Sequence, residues 1–256
     1  MAAPARAYAT RFAQKTIKKF LDAAEDVFGR HGYEGTTIRA ISSKARVNLG
    51  TLQHYWGSKR ELFRELFERR FQPLMREHLR RLQALDAATS EGQPPDGMAL
   101  LRTLIEPTFF VGLDSDSAYG ADLVGESGRK RFHALFGRAL MDPSPHVISE
   151  MTKLFDEPMK LMMALMRRSC PNVSAAEIDW RVNCVLGALV FSQVYSERVG
   201  RFFGTEADVD DARASDWILH FLVRGVDAAP FGEVSVPFLK PSPTARKKRE
   251  RRRRTA

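Results

Sequence analysis

The sequence predicts an all-α fold: a small three-helix unit at the N-terminal end, followed by a larger helical domain. Three observations predict it. Apolar residues recur at three- and four-residue intervals along most of the chain, no sustained alternating segment competes with them, and two short helical patterns near the N-terminal end lie beside a longer one able to cover them. With 256 residues and 44% hydrophobic content, the chain can bury a substantial core.

The first helix is expected over residues 16–30, where Ile17, Phe20, Leu21, Ala24, Val27 and Phe28 share one face and Lys15, Lys18, Lys19 and Arg30 lie largely off it. Gly32 interrupts it. A short helix follows over 37–44, capped by Thr36 or Thr37 and anchored by Ile38 and Ile41. After a three-residue turn another begins near Asn48, with Leu52 and Tyr55 about one turn apart. Gly57-Ser58 closes it, and Ser58 with Glu61 forms a capping-box pattern that opens a long helix reaching about residue 85, bent at Pro73. Further helical patterns cover residues 98–111, 118–141, 146–168, 174–200 and 209–226. From Pro230 onward proline, glycine and a charged run replace the periodicity, which predicts an extended or disordered arm. The chain thus divides into 10–57, 58–228 and 229–256.

Charge sharpens this division. Residues 1–64 hold twelve Lys or Arg against five Asp or Glu, residues 65–245 hold twenty against twenty-five, and residues 246–256 hold eight against one. Two basic ends around a mildly acidic middle favour an anionic polymer as partner for the ends. Cys170 and Cys184 offer no metal-ligand spacing, no export signal or membrane-length apolar run is present, and a reduced cytoplasmic protein away from membranes is expected. No phosphate-cradling glycine loop, nucleophile elbow or metal-ligand cluster points to catalysis, a cofactor or a metal; His146, after Pro143 and Pro145, reads as a helix-start residue.

Two short helices joined by a tight turn cannot bury themselves, so the first helix must pack Phe20, Val27 and Phe28 against Ile38, Ile41, Val47, Leu52 and Trp56. That arrangement turns the second short helix outward, the geometry that enters a major groove. With Leu52 and Trp56 pointing inward, Asn48, Leu49, Thr51, Gln53 and His54 are left on the outer face. Amides at Asn48 and Gln53 suit base edges, Thr51 suits a thymine methyl or a phosphate, and Leu49 offers apolar contact. Thr37, Lys44, Arg46, Tyr55 and Lys59 are placed for backbone phosphates.

The stretch GYEGTTIRAISSKARVNLGTLQHYWGSKRELF, residues 32–63, resembles the DNA-binding signature of the TetR family of one-component transcriptional regulators. The resemblance rests on the pair Thr36-Thr37, Val47 at the end of the turn, the run Gly50-Thr51-Leu52, the aromatics Tyr55 and Trp56, and Ser58-Lys59. It implies phosphate contacts at Thr37, Thr51, Tyr55 and Lys59 and a core role for Trp56. Three positions depart from the family pattern: Arg46 stands where glycine is usual, so the turn must accept a side chain; Asn48 replaces the usual Ser or Thr cap; and Gln53 stands where tyrosine is frequent.

The fold class is then a helix-turn-helix DNA-binding domain followed by a helical effector-binding and dimerisation domain. In the 178–199 segment, Ile178, Val182, Val185 and Leu189 form one apolar stripe and Trp180, Cys184, Ala188, Phe191 and Tyr195 another. A helix apolar on two faces needs two partners, and the first stripe, with Trp217 and Phe221 of the last helix, is expected at a homodimer interface. Phe109, Phe110, Phe132, Phe136, Met159, Met163 and Met166 supply apolar side chains from three helices for a small hydrophobic effector. The basic run around Arg129, Lys130, Arg131, His133 and Arg138 reads as a solvated face. The RKKRERRRR run, 246–254, adds salt-dependent attraction to DNA without reading bases. The expected function is a repressor that binds a partly palindromic DNA operator as a homodimer and is released by the effector. The alternative is a DNA-binding or DNA-organising protein that needs no effector.

Overall fold

Polar side chains at fixed offsets set the helix boundaries near the N-terminal end of the computed structural model, which describes residues 11–89, 93–109, 126–203 and 211–229. Nine helices occupy those residues: α1 (Arg11–Gly35), α2 (Ile38–Ala45), α3 (Leu49–Trp56), α4 (Lys59–Ala88), α5 (Gly97–Phe109), α6 (Glu126–Met141), α7 (Pro145–Ser169), α8 (Ala175–Phe203) and α9 (Asp211–Val226). Of the two candidate threonines, Thr37 caps α2, accepting from the Ala40 N–H at 3.1 Å. The buried Thr36 instead donates to the Gly32 carbonyl at 2.7 Å. Asn48 caps α3 by accepting from the Gly50 N–H at 2.8 Å, and Ser58 caps α4 by accepting from the Glu61 N–H at 3.2 Å. Each cap satisfies a backbone donor that the helix itself leaves unpaired.

Helix α1 begins ahead of the expected 16–30 and is interrupted, as expected, at Gly32, whose φ 68°, ψ −179° lie in a backbone region that only glycine occupies readily. Its apolar face meets α2, α3 and the start of α4. Phe20, Phe28, Ile41, Leu52, Leu62 and Phe67 are all essentially inaccessible to solvent. Phe20 meets Trp56 edge to face at 5.6 Å, and Phe28 meets Phe63 at 4.7 Å. Ile38 and Val47 pack against the same core, as their spacing requires.

This core does not stop at residue 57. An aromatic ladder continues along α4 through Phe63, Phe67 and Phe71 and reaches Phe132 and Phe136 of α6, with Val147 and Met151 of α7 closing it. The head therefore shares its core with the body. A second core joins the far half of α4 to α5, the end of α7, α8 and α9, around Leu82, Ile105, Leu165, Ile178, Val185 and Leu219.

Two polar contacts also fasten the head. Arg70 of α4 and Glu25 of α1 form a fully buried ion pair, with Nε and Nη2 reaching Oε2 at 2.8 and 2.5 Å. Burial pushes the Glu25 carboxyl up in spite of the opposing pull of Arg70. Asp142, at the α6–α7 corner, accepts from the Tyr33 N–H at 2.8 Å and from the Ser144 N–H at 3.0 Å. A Cβ on Gly32 would lie 2.8 Å from both Arg138 and Asp142, so the glycine allows this corner to close on α1. Of the basic run on α6 expected to be solvated, Lys130 and Arg138 are exposed, whereas His133 is half-buried with Nε2 3.1 Å from the Thr108 carbonyl, so the face is not wholly solvated.

Candidate nucleic-acid interface

Helix α3 presents two contrasting faces. Leu52 and Trp56 are buried, and the Trp56 indole N–H donates to Glu65 of α4 at 2.7 Å, which fixes the helix on its support. Gln53, His54 and Asn48 are exposed, Thr51 is half-buried, and Leu49 is 42% exposed although it is a large aliphatic side chain. Tyr55 packs partly against the core beside His54 and Trp56. The turn before α3 is held by the Ser42 hydroxyl donating to the Val47 carbonyl at 2.5 Å. Arg46 adopts φ 54°, ψ 44°, the left-handed conformation for which glycine is the ordinary solution.

Some expected DNA-contacting residues have internal partners. Lys59 Nζ donates to the carbonyls of Tyr33 at 2.9 Å and Thr36 at 3.2 Å and lies 4.1 Å above the Tyr33 ring. In this conformation it braces the end of α1 instead of facing outward to phosphate, because the Tyr33 and Thr36 carbonyls at the α1–α2 break capture the ammonium. Lys44 is paired with Asp26 of α1 at 2.5 Å. Burial would raise the Asp26 carboxyl, but Lys44 and Arg30 outweigh it and hold the group below its usual range. The Asn48 carbonyl oxygen is committed to its cap, so only the amide nitrogen is left for a base edge. Thr37 and Arg46 are exposed beside α3.

The body departs further from expectation. Ile178, Val182, Val185 and Leu189 are buried inside the subunit against α9, so they are not a subunit interface; the rotation of α8 turns the other stripe outward. Trp180 is 73% exposed and Phe191 55%, with the exposed Cys184 and Gly187 between them, while Trp217 and Phe221 of α9 are 56% and 75% exposed. The expected effector residues do not line one cavity. Phe132 and Phe136 belong to the head-side core, whereas Met166 is buried in the second core and Met159 and Met163 pack against it. The side chain of Phe109, together with Phe110, residues 118–125 and the basic run 246–254, lies outside the described residues. A crevice of about 10 Å³ opens instead between α4, α5 and α7, walled by His78, Leu104, Met159 and Met162 among others. Sequence reasoning missed His78 and the Asp142 joint, because nothing in local spacing relates residues 30 or 109 positions apart. No group of His, Cys, Asp and Glu suited to a metal occurs among the described residues, and no helix among them is long and apolar enough to cross a membrane.

A helix-turn-helix head exposing its last helix, set on a helical body, is the architecture of a DNA-binding transcriptional regulator. Residues 20–66 match the family of bacterial regulatory proteins, tetR family, and residues 121–225 match the tetracyclin repressor-like C-terminal domain. Together they take in more than half of the chain, which belongs to the TetR family. The HTH-type transcriptional repressor KstR of Rhodococcus jostii is 28% identical over 181 residues, 66% of this chain and 82% of that protein. The HTH-type transcriptional repressor SCO4008 of Streptomyces coelicolor is 36% identical over 62 residues, 24% of this chain and 32% of its own length. A TetR-like transcriptional regulator from Rhodococcus sp. RHA1 shares the fold at a TM-score of 0.50 and 22% identity, covering 84% of this chain and 97% of that one.

Proposed function

We propose that the chain is a repressor that binds a partly palindromic operator as a homodimer and is released when a small hydrophobic effector enters the body. The exposed outer face of α3 over sealed Leu52 and Trp56 carries the DNA part of this reading. Gln53 and Leu49 read base edges, His54 and the Asn48 amide flank them, and Thr37, Arg46, Thr51 and Tyr55 meet phosphates. Lys59 positions α2 through the Tyr33 and Thr36 carbonyls. The name of KstR as a repressor supports repression over activation.

The dimer reading rests on the outward stripes of α8 and α9. Trp180, Phe191, Trp217 and Phe221 form an exposed apolar surface, and the small Cys184 and Gly187 allow a second helix to approach closely. An effector entering between α4, α5 and α7 shifts α4, whose two halves serve both cores, and so changes the spacing of the two heads. Selection from a random DNA pool tests the reading together with light scattering of the complex. It expects two inverted half-sites and one dimer per site; a single unrepeated site bound by a monomer would reject it. The crevice holds little more than one water as it stands, which favours the effector-independent alternative unless the crevice opens.

A further inference from the structure

Among the described residues, prolines inside helices occur only in α4, α5 and α7: Pro73, Pro107 and Pro158. These are the three helices that wall the crevice, and Pro158 itself lines it. Each proline removes one rung of its helix's hydrogen-bond ladder and lets the axis bend at low cost. Met75, Met159 and Met162 supply unbranched side chains that repack as the walls part. These bends and flexible side chains are the means by which so small a crevice would widen for a ligand.

Its chemistry is nearly all apolar, with His78 as the informative exception. The imidazole is buried at 4% exposure, with Nε2 3.4 Å from the Thr108 hydroxyl. That hydroxyl spends its own proton on the Leu104 carbonyl at 2.9 Å. With that proton spent, the Thr108 oxygen meets Nε2 as an acceptor, so Nε2 carries the ring proton and Nδ1 is the acceptor of the imidazole. The ring is neutral, since burial pulls it down to about 4. Among the described residues no charged side chain lines the crevice. The nearby Arg81 is taken up by Glu77 at 2.7 Å and Glu106 at 3.0 Å.

Resting on the effector reading above, we propose that the effector is an uncharged, largely apolar molecule bearing a hydroxyl, and that His78 Nδ1 accepts the hydrogen bond from that hydroxyl. A carboxylate or an ammonium would enter a wall with no unmatched opposite charge and is excluded by desolvation. An ether or a ketone of the same size offers Nδ1 only another acceptor.

Calorimetric titration of the full chain with 1-octanol, its isomer 1-methoxyheptane, octanoate and octylamine tests this. The alcohol is expected to bind roughly fivefold tighter than the ether, the worth of one hydrogen bond, and the two ions more weakly still. His78→Leu should bring alcohol and ether to the same affinity. His78→Asn, whose side-chain oxygen replaces Nδ1 as acceptor, should keep the preference, and a thermal melt of each variant checks its folding. Met159→Trp, which fills the crevice, should abolish binding of every probe. Binding that Met159→Trp abolishes but that shows no preference for the alcohol overturns the role of His78 while leaving the effector reading in place. Binding unaffected by Met159→Trp, or no binding of any probe, overturns the site itself.

Discussion

The core beneath the head is walled by phenylalanines meeting edge to face, whereas the core on which the effector crevice opens is built from leucine, valine and methionine and is bordered by proline-bearing helices. Aromatic rings hold one another in orientation, while aliphatic chains beside interrupted helices repack. The contrast suits the proposed tasks, a head that presents α3 in one geometry and a body that changes shape for a ligand. Helix α4 spans both, which is what the proposed transmission from body to head requires.

The largest expected effect comes from the polar anchor in the rigid region. Arg70→Met strands Glu25 in the core and should cost about 3–5 kcal/mol in chemical denaturation, and adding Glu25→Leu should recover most of it. A small loss from the single variant would mean that this core is softer than its packing implies.

The next effect belongs to the compliant region. His78 titrates near 6.5 when unfolded and is drawn by burial to about 4 when folded. The unfolded chain therefore takes up a proton that the native chain refuses. The resulting stability is complete above about pH 6.5 and is lost as the pH falls through about 4, a change of about 3 kcal/mol. His133, also drawn down by burial, adds to the same trend. His78→Leu should flatten this acid limb in melts taken from pH 7 to pH 4; an unchanged limb would place its origin elsewhere.

Two backbone changes then sharpen the contrast within the head. Gly32→Ala forces a side chain into a glycine-only conformation against Arg138 and Asp142, and it should cost about 1–3 kcal/mol and weaken DNA binding through the α1–α2 joint. Arg46→Gly should act the other way. It relieves a left-handed arginine and should raise stability by about 1 kcal/mol while removing the proposed phosphate contact, so a melt and a DNA titration should move in opposite directions.

What the sequence made legible follows the same boundary. The caps at Thr37, Asn48 and Ser58 and the inward pair Leu52 and Trp56 were readable because their partners lie within four residues or on adjacent short helices. The special position of Arg46 was readable because the resembling family places a glycine there, and the structure supplies its left-handed backbone. The partners of Lys59 were not, since carbonyls 23 and 26 residues away are brought beneath it by the break at Gly32. On α8 both stripes have helical spacing, and only the rotation of the whole helix decides that Ile178 and Val182 face inward while Trp180 and Phe191 face out. Phe132 and Met166 look alike as apolar residues on neighbouring helices, yet different layers of packing claim them.

The central claim, that the outer face of α3 reads DNA sequence, is tested most directly by comparing Gln53→Ala with the unaltered chain in selection from random DNA at fixed salt. The expected result is a relaxed base preference at one position in each half-site, worth about 1–3 kcal/mol, with the flanking preferences kept. An unchanged preference, or an equal loss of affinity on every sequence, would contradict it.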